Sequence, residues 1–124
     1  MPTNIKADAL PALERLAAWV RSADMKEYNR EKNLLECVDE AREIEARPLM
    51  EQLGYATRGH GALLLRICGK ASIEKHDDGR TLLFFPLSGD VQVAGEVLEP
   101  GTYTKITKTL DLDAQLDCLI VILP

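Results

Sequence analysis

The sequence predicts an α+β protein in which an N-terminal helical segment packs on a C-terminal antiparallel β-barrel or sandwich. Three observations predict it. Apolar residues recur at helical spacing as far as about residue 46. The run Gly54-Tyr55-Ala56-Thr57-Arg58-Gly59-His60-Gly61 then breaks the pattern with glycines and small polar residues. From Ala62 onward, short β-rich runs alternate with turn-forming residues. Residues 1–54 therefore read as a helical segment, 55–61 as a linker and 62–124 as a β-domain. In a chain of 124 residues neither half alone buries much apolar surface, so a shared core is expected.

The first helix is expected from about Asp8, with Leu10, Leu13, Leu16, Ala17 and Val20 on one face and Trp19 at its edge as a packing residue. Pro11 suits its first turn, where a missing N–H costs nothing. A second helix is expected over Met25–Ala46, burying Leu34, Cys37, Val38, Ala41 and Ile44 and exposing the acids Glu36, Asp39, Glu40, Glu43 and Glu45. Pro48 should stop it, because the ring clashes with the carbonyl four residues back, and Leu49–Leu53 should form a short turn ended by Gly54.

Strands are expected at Leu63–Cys68, Lys70–His76, Arg80–Leu87, Asp90–Ala94, Glu96–Leu98, Thr102–Thr107 and Leu116–Leu123. Asp77-Asp78-Gly79 between two of these runs signals a hairpin, since both central residues of a type I′ turn need positive φ. Pro86 and Pro100 mark strand ends or edges.

The stretch Leu87-Ser88-Gly89-Asp90-Val91-Gln92-Val93-Ala94-Gly95-Glu96-Val97-Leu98-Glu99-Pro100-Gly101-Thr102-Tyr103-Thr104-Lys105-Ile106 resembles the centre of a small cupin. There a strand ends in a glycine, a short hairpin shows a second glycine, and an L-x-P-G turn leads into the next barrel strand. The resemblance, extended over residues 62–124, implies a degenerate cupin-like jelly-roll barrel. Metal-binding cupins gather two histidines of an H-x-H pair, a glutamate and a late histidine inside the barrel mouth. Those positions fall here at His76, Asp78, Leu82 and near Leu112. Only His76 and Asp78 are able to ligate, and a leucine where a donor belongs excludes an ion. The resemblance therefore implies no metal and no cofactor.

Composition removes other functions. Fifteen basic residues against twenty acidic ones give a formal net charge of -5, and no Lys/Arg cluster stands out, which disfavours nucleic acid and a DNA-binding helix-turn-helix. The N-terminus has no signal-like apolar stretch and Leu119–Leu123 is too short to span a bilayer, so a cytoplasmic protein with no membrane partner is expected. Cys37, Cys68 and Cys118 sit among apolar neighbours and read as reduced core thiols. No phosphate-binding glycine loop, nucleophile elbow or zinc-protease motif occurs. The carboxylate pairs Asp111/Asp113 and Asp77/Asp78 read as solvated turn residues.

What remains is a module with no assigned catalytic residue. It binds a small ligand within a homo-oligomer, and the ligand is anionic if the strand residues Arg66, Arg80, Tyr103 and Lys105 face it. The alternatives are a structural or interaction protein, such as an assembly factor or virion component whose acidic helices dock a partner, and a metal-independent isomerase or lyase. A β-core filled solid by Leu82, Phe84 and Val93 favours the interaction protein.

Overall fold

The structure, a computed structural model, describes residues 2–28, 31–56, 59–75 and 78–124. In chain order the elements are β1 (Thr3–Asn4), a 3-10 turn (Ala7–Ala9), α1 (Leu10–Val20), β2 (Met25–Tyr28), β3 (Glu31–Cys37), α2 (Arg42–Leu53), β4 (Gly61–Ile73), β5 (Leu82–Pro86), β6 (Val91–Val93), β7 (Glu96–Leu98), β8 (Thr102–Ile106) and β9 (Leu110–Ile122). Seven strands form one sheet in the order β1-β8-β5-β9-β4-β3-β2, with β6 and β7 as a separate hairpin. Every strand pairing is antiparallel. The fold is thus α+β, with the N-terminal helix packed on the sheet.

α1 forms as its periodicity predicts. Leu13, Leu16, Ala17 and Val20 are buried, Pro11 occupies the first turn and Trp19 packs part-buried at the edge. Leu10, expected on the same stripe, is instead 38% exposed. Its side chain lies over Gly101, where a Cβ would come within 3.2 Å.

The expected helix over Met25–Ala46 forms only from Arg42, as the start of α2. Its first part is the β2–β3 pair, in which Met25 opposes Cys37 and Lys26 opposes Glu36, and β3 continues the sheet through Leu34↔Ile67 and Leu35↔Arg66. Leu34 is buried in one core and Cys37 in the other. Residues three apart on a strand face opposite sides, whereas on a helix they share one. Cross-strand pairing overrides the helical spacing. Residues 1–54 are therefore helical only in part, and they supply three of the seven sheet strands.

α2 begins beyond Asp39, one of the acids expected on a solvated helix face. Its Oδ1 accepts a hydrogen bond from the Ala41 N–H at 3.0 Å, and its carbonyl accepts from the Arg42 N–H at 3.1 Å. Pro48, expected to end a helix, lies inside this one. It is exposed, as is Ile44 four residues back, so the Ile44 carbonyl that loses its N–H partner can turn to water. The buried stripe is Ala46, Leu49 and Met50; Ile44, expected there, is 65% exposed. Gly54 ends the helix at φ +84, as its residue type predicts.

In the β-region, β5 to β8 fall within two residues of expectation, and β5 ends at Pro86. The two runs Leu63–Cys68 and Lys70–His76 are one strand, β4, which already starts at Gly61 and passes through Gly69 at φ +141. Asn33 lies against Gly69, and its Nδ2 donates to the Lys70 carbonyl at 2.9 Å. β9 starts six residues earlier than expected, so Asp111 and Asp113 are exposed strand residues and not turn residues. β4 and β5 do not form the hairpin signalled by Asp77-Asp78-Gly79, because β9 lies between them. The two-residue hairpin turn is Ala94-Gly95, joining the Val93↔Glu96 pair with φ of +52 and +82.

The sheet separates two cores. On one face α1 and α2 cover Leu64, Leu83, Phe85, Leu119 and Val121. On the other, Leu65, Ile67, Phe84, Cys118 and Ile120 pack with Val91, Val93 and Leu98 and with Ile73, Leu110 and Leu112 from the far halves of β4 and β9. β5 is consequently buried along its whole length, which explains a run without alternation.

Candidate functional site

Of the four residues proposed for ligand contact, the fold brings two together. Tyr103 and Lys105 are two apart on β8 and so face the same side of the sheet. The Tyr103 ring stacks on Phe85 with centroids 4.8 Å apart, and Lys105 opposes Leu83 in register.

They line an open depression of about 480 Å³ together with Thr3, Tyr55, Thr81, Leu83, Thr104 and Leu123. Each contributor is held by local structure. β1 pairs Thr3 with Tyr103. The Leu123 N–H donates to the Thr81 carbonyl at 2.8 Å, tying the end of β9 to the start of β5. The left-handed Gly54 turns the chain so that the Tyr55 N–H donates to Met50 at 2.8 Å. The Tyr55 ring then meets His60 at 5.5 Å. Burial raises the Tyr55 phenol above the usual tyrosine value, with a smaller push from Tyr103.

None of the eight lining residues is acidic. Among the described residues, Lys105 makes no ion pair and the side-chain hydroxyls of Thr3, Tyr55, Thr81 and Tyr103 have no hydrogen-bond partner; Thr104, between Tyr103 and Lys105 on β8, faces the other side of the sheet. The depression therefore presents one ammonium and several hydroxyl donors on an apolar base of Leu83 and Leu123. Tyr55, Thr3 and Thr81 carried no signal in the sequence, since they come from segments distant from β8.

The other two candidates are engaged elsewhere. Arg66 lies on β4 with Nε 2.7 Å from Asp117 Oδ1 and a second nitrogen 3.3 Å from Oδ2. The same guanidinium donates to the carbonyls of Val20 at 2.9 Å and Arg21 at 3.2 Å, which are the end of α1. A cation here satisfies orphan helix carbonyls and complements the helix dipole. The Asp117 hydrogen bond, partly opposed by burial, holds the guanidinium above the usual arginine value. Arg80 sits just before β5, its Nε 2.6 Å from Asp78 and its N–H bonded to the same carboxylate at 3.0 Å. Arg80 does not line the depression.

Of the two residues able to ligate a metal, Asp78 is bonded to Arg80 and His76 lies outside the described residues. Among the described residues no three His, Cys, Asp or Glu side chains gather as a metal site. Cys37 and Cys118 are buried and their thiols are raised chiefly by desolvation. Cys68, expected in the core, is exposed. It sits on the outer face of β4 opposite Gln115, in a polar ladder that continues as Lys70↔Asp113 and Ser72↔Asp111. The Ser72 hydroxyl donates to Asp111 at 2.7 Å. No described helix is long and apolar enough to cross a membrane. No protein-family model and no curated protein matches the chain.

Proposed function

We propose that the chain is a non-enzymatic binding module that takes a small anionic ligand at the Tyr103–Lys105 depression and works as a homo-oligomer. One observation carries the reading: Lys105 stands without an ion pair among the described residues, in a depression walled by hydroxyl side chains and free of acids. Unpartnered hydroxyls and a single cation suit a phosphate or carboxylate. The cupin-like turn run supports a ligand-binding ancestry. Within it the Thr102 N–H donates to the Glu99 carbonyl at 3.0 Å, with Pro100 and the positive-φ Gly101 at the centre of the turn. Cupins gather ligands inside the barrel, whereas here the depression lies where Tyr55, β1, β8 and the end of β9 meet.

Amide chemical-shift titration with inorganic phosphate tests the proposal. Shifts should concentrate on Thr81, Tyr103 and Lys105 and need markedly more phosphate in Lys105→Met. Shifts scattered over the surface, or unchanged in the variant, count against it.

A second reading, a structural or interaction protein, draws on the filled interior, where Leu82, Phe84 and Val93 are 3%, 0% and 8% exposed. Native mass spectrometry discriminates the two: a homo-oligomer with a retained small molecule supports the first, and a ligand-free chain captured with a second protein supports the other.

A further inference from the structure

Resting on the anion-binding reading of the same depression, we infer that the ligand is a flat aromatic ring carrying the anionic group. A bare oxyanion occupies only a corner of about 480 Å³; that volume falls in the range of about 300–1,000 Å³ typical of sites for organic ligands. What surrounds the remaining space is aromatic and apolar. Tyr103 is backed by Phe85 at 4.8 Å, which fixes its plane. Tyr55 stands on the same depression, set by the Gly54 turn and braced by the His60 ring at 5.5 Å. Both phenols line the one depression. Leu83 and Leu123 supply the apolar base.

Polar and apolar functions are thus divided along the site. Lys105, Thr3 and Thr81 take the charge, and the two tyrosines with the leucines take the body. A saturated, flexible body would gain from burial but not from ring stacking, so the paired tyrosines select for a planar π-system.

The test compares three probes on the intact chain by amide and ring-proton NMR titration: inorganic phosphate, phenyl phosphate and phenol. Phenyl phosphate should bind about tenfold more tightly than phosphate, the gain of one aromatic contact, with its ring protons giving transferred cross-relaxation to Tyr55 and Tyr103. Tyr55→Leu should abolish the preference for phenyl phosphate over phosphate, whatever it does to phosphate itself; Lys105→Met should weaken both. The amide spectrum of each variant shows whether it keeps the sheet, and Tyr55→Phe, which retains the ring, should keep the gain. Equal binding of phosphate and phenyl phosphate at Lys105 overturns the aromatic ligand and leaves the anion site standing. So does a gain that survives Tyr55→Leu. Absence of binding by phosphate and phenyl phosphate overturns the anion site and the inference together.

Discussion

Replacing Arg66 by methionine tests whether this residue belongs to the architecture or to a ligand site. In the folded protein its guanidinium is 2.7 Å from Asp117, whose side chain is 7% exposed, while Arg66 itself is 27% exposed. It also closes the C-terminus of α1 through the Val20 and Arg21 carbonyls. Arg66→Met leaves a carboxylate in a site with little water. Breaking such a pair costs about 3–5 kcal/mol when fully buried, and the partial exposure of Arg66 brings the expectation to about 2–3 kcal/mol. With a urea m-value of about 2 kcal/mol/M, the denaturation midpoint should fall by about 1–1.5 M at unchanged slope. Adding Asp117→Leu removes the stranded charge and should recover most of that loss, leaving about 1 kcal/mol for the uncapped helix end. Equilibrium urea denaturation of the four members of the cycle gives the answer. An Arg66→Met protein within about 0.5 kcal/mol of the parent, or a double variant no more stable than the single one, refutes the clasp.

Three other outcomes follow from the same physics. Titration of the native protein with a thiol reagent should modify Cys68 alone, and denaturation should release Cys37 and Cys118, because only Cys68 is exposed. Cys118 is fully buried and its thiol is raised above the ordinary value of 9.0. A raised folded pKa keeps its full contribution below that value; above it the unfolded chain ionises first, so stability falls as pH climbs towards the folded pKa. Cys118→Ala should therefore flatten the loss of stability between about pH 9 and 11, where one such group contributes up to about 1.4 kcal/mol per pH unit. Finally, Ala94 sits at φ +52 in the β6–β7 turn. Ala94→Asn should stabilise by about 0.5–1 kcal/mol and raise the melting temperature by about 2–5 °C in a thermal scan; a lower melting temperature contradicts the turn assignment.

The elements legible in the sequence were those whose partners are close along the chain. α1 buries the face its own spacing defines, Pro86 ends a strand, and the Glu99–Thr102 turn follows from Pro100 and Gly101. β9 was half legible. Its Leu110-Asp111-Leu112-Asp113 alternation is a strand signal, offset by the preference of aspartate for turns. Each acid has a polar neighbour across the strand pair, Ser72 for Asp111 and Lys70 for Asp113, and those partners are far off in sequence. The same holds for the site. Tyr103 and Lys105 share a face by strand geometry alone, but Tyr55, Thr3 and Thr81 join them only through the end of α2 and the sheet edges.

By itself, then, the sequence determined the α+β class, the first helix and the Glu99–Thr102 turn. These depend on periods and turn chemistry that operate within a few residues. Only the tertiary structure decided that residues 25–37 are strands and that β9 separates β4 from β5. It alone also decided that Arg66 clasps Asp117 and α1. In each case the stabilising partner lies dozens of residues away, and pairing backbone and burying both faces of a strand outweighs the local preference that spacing records.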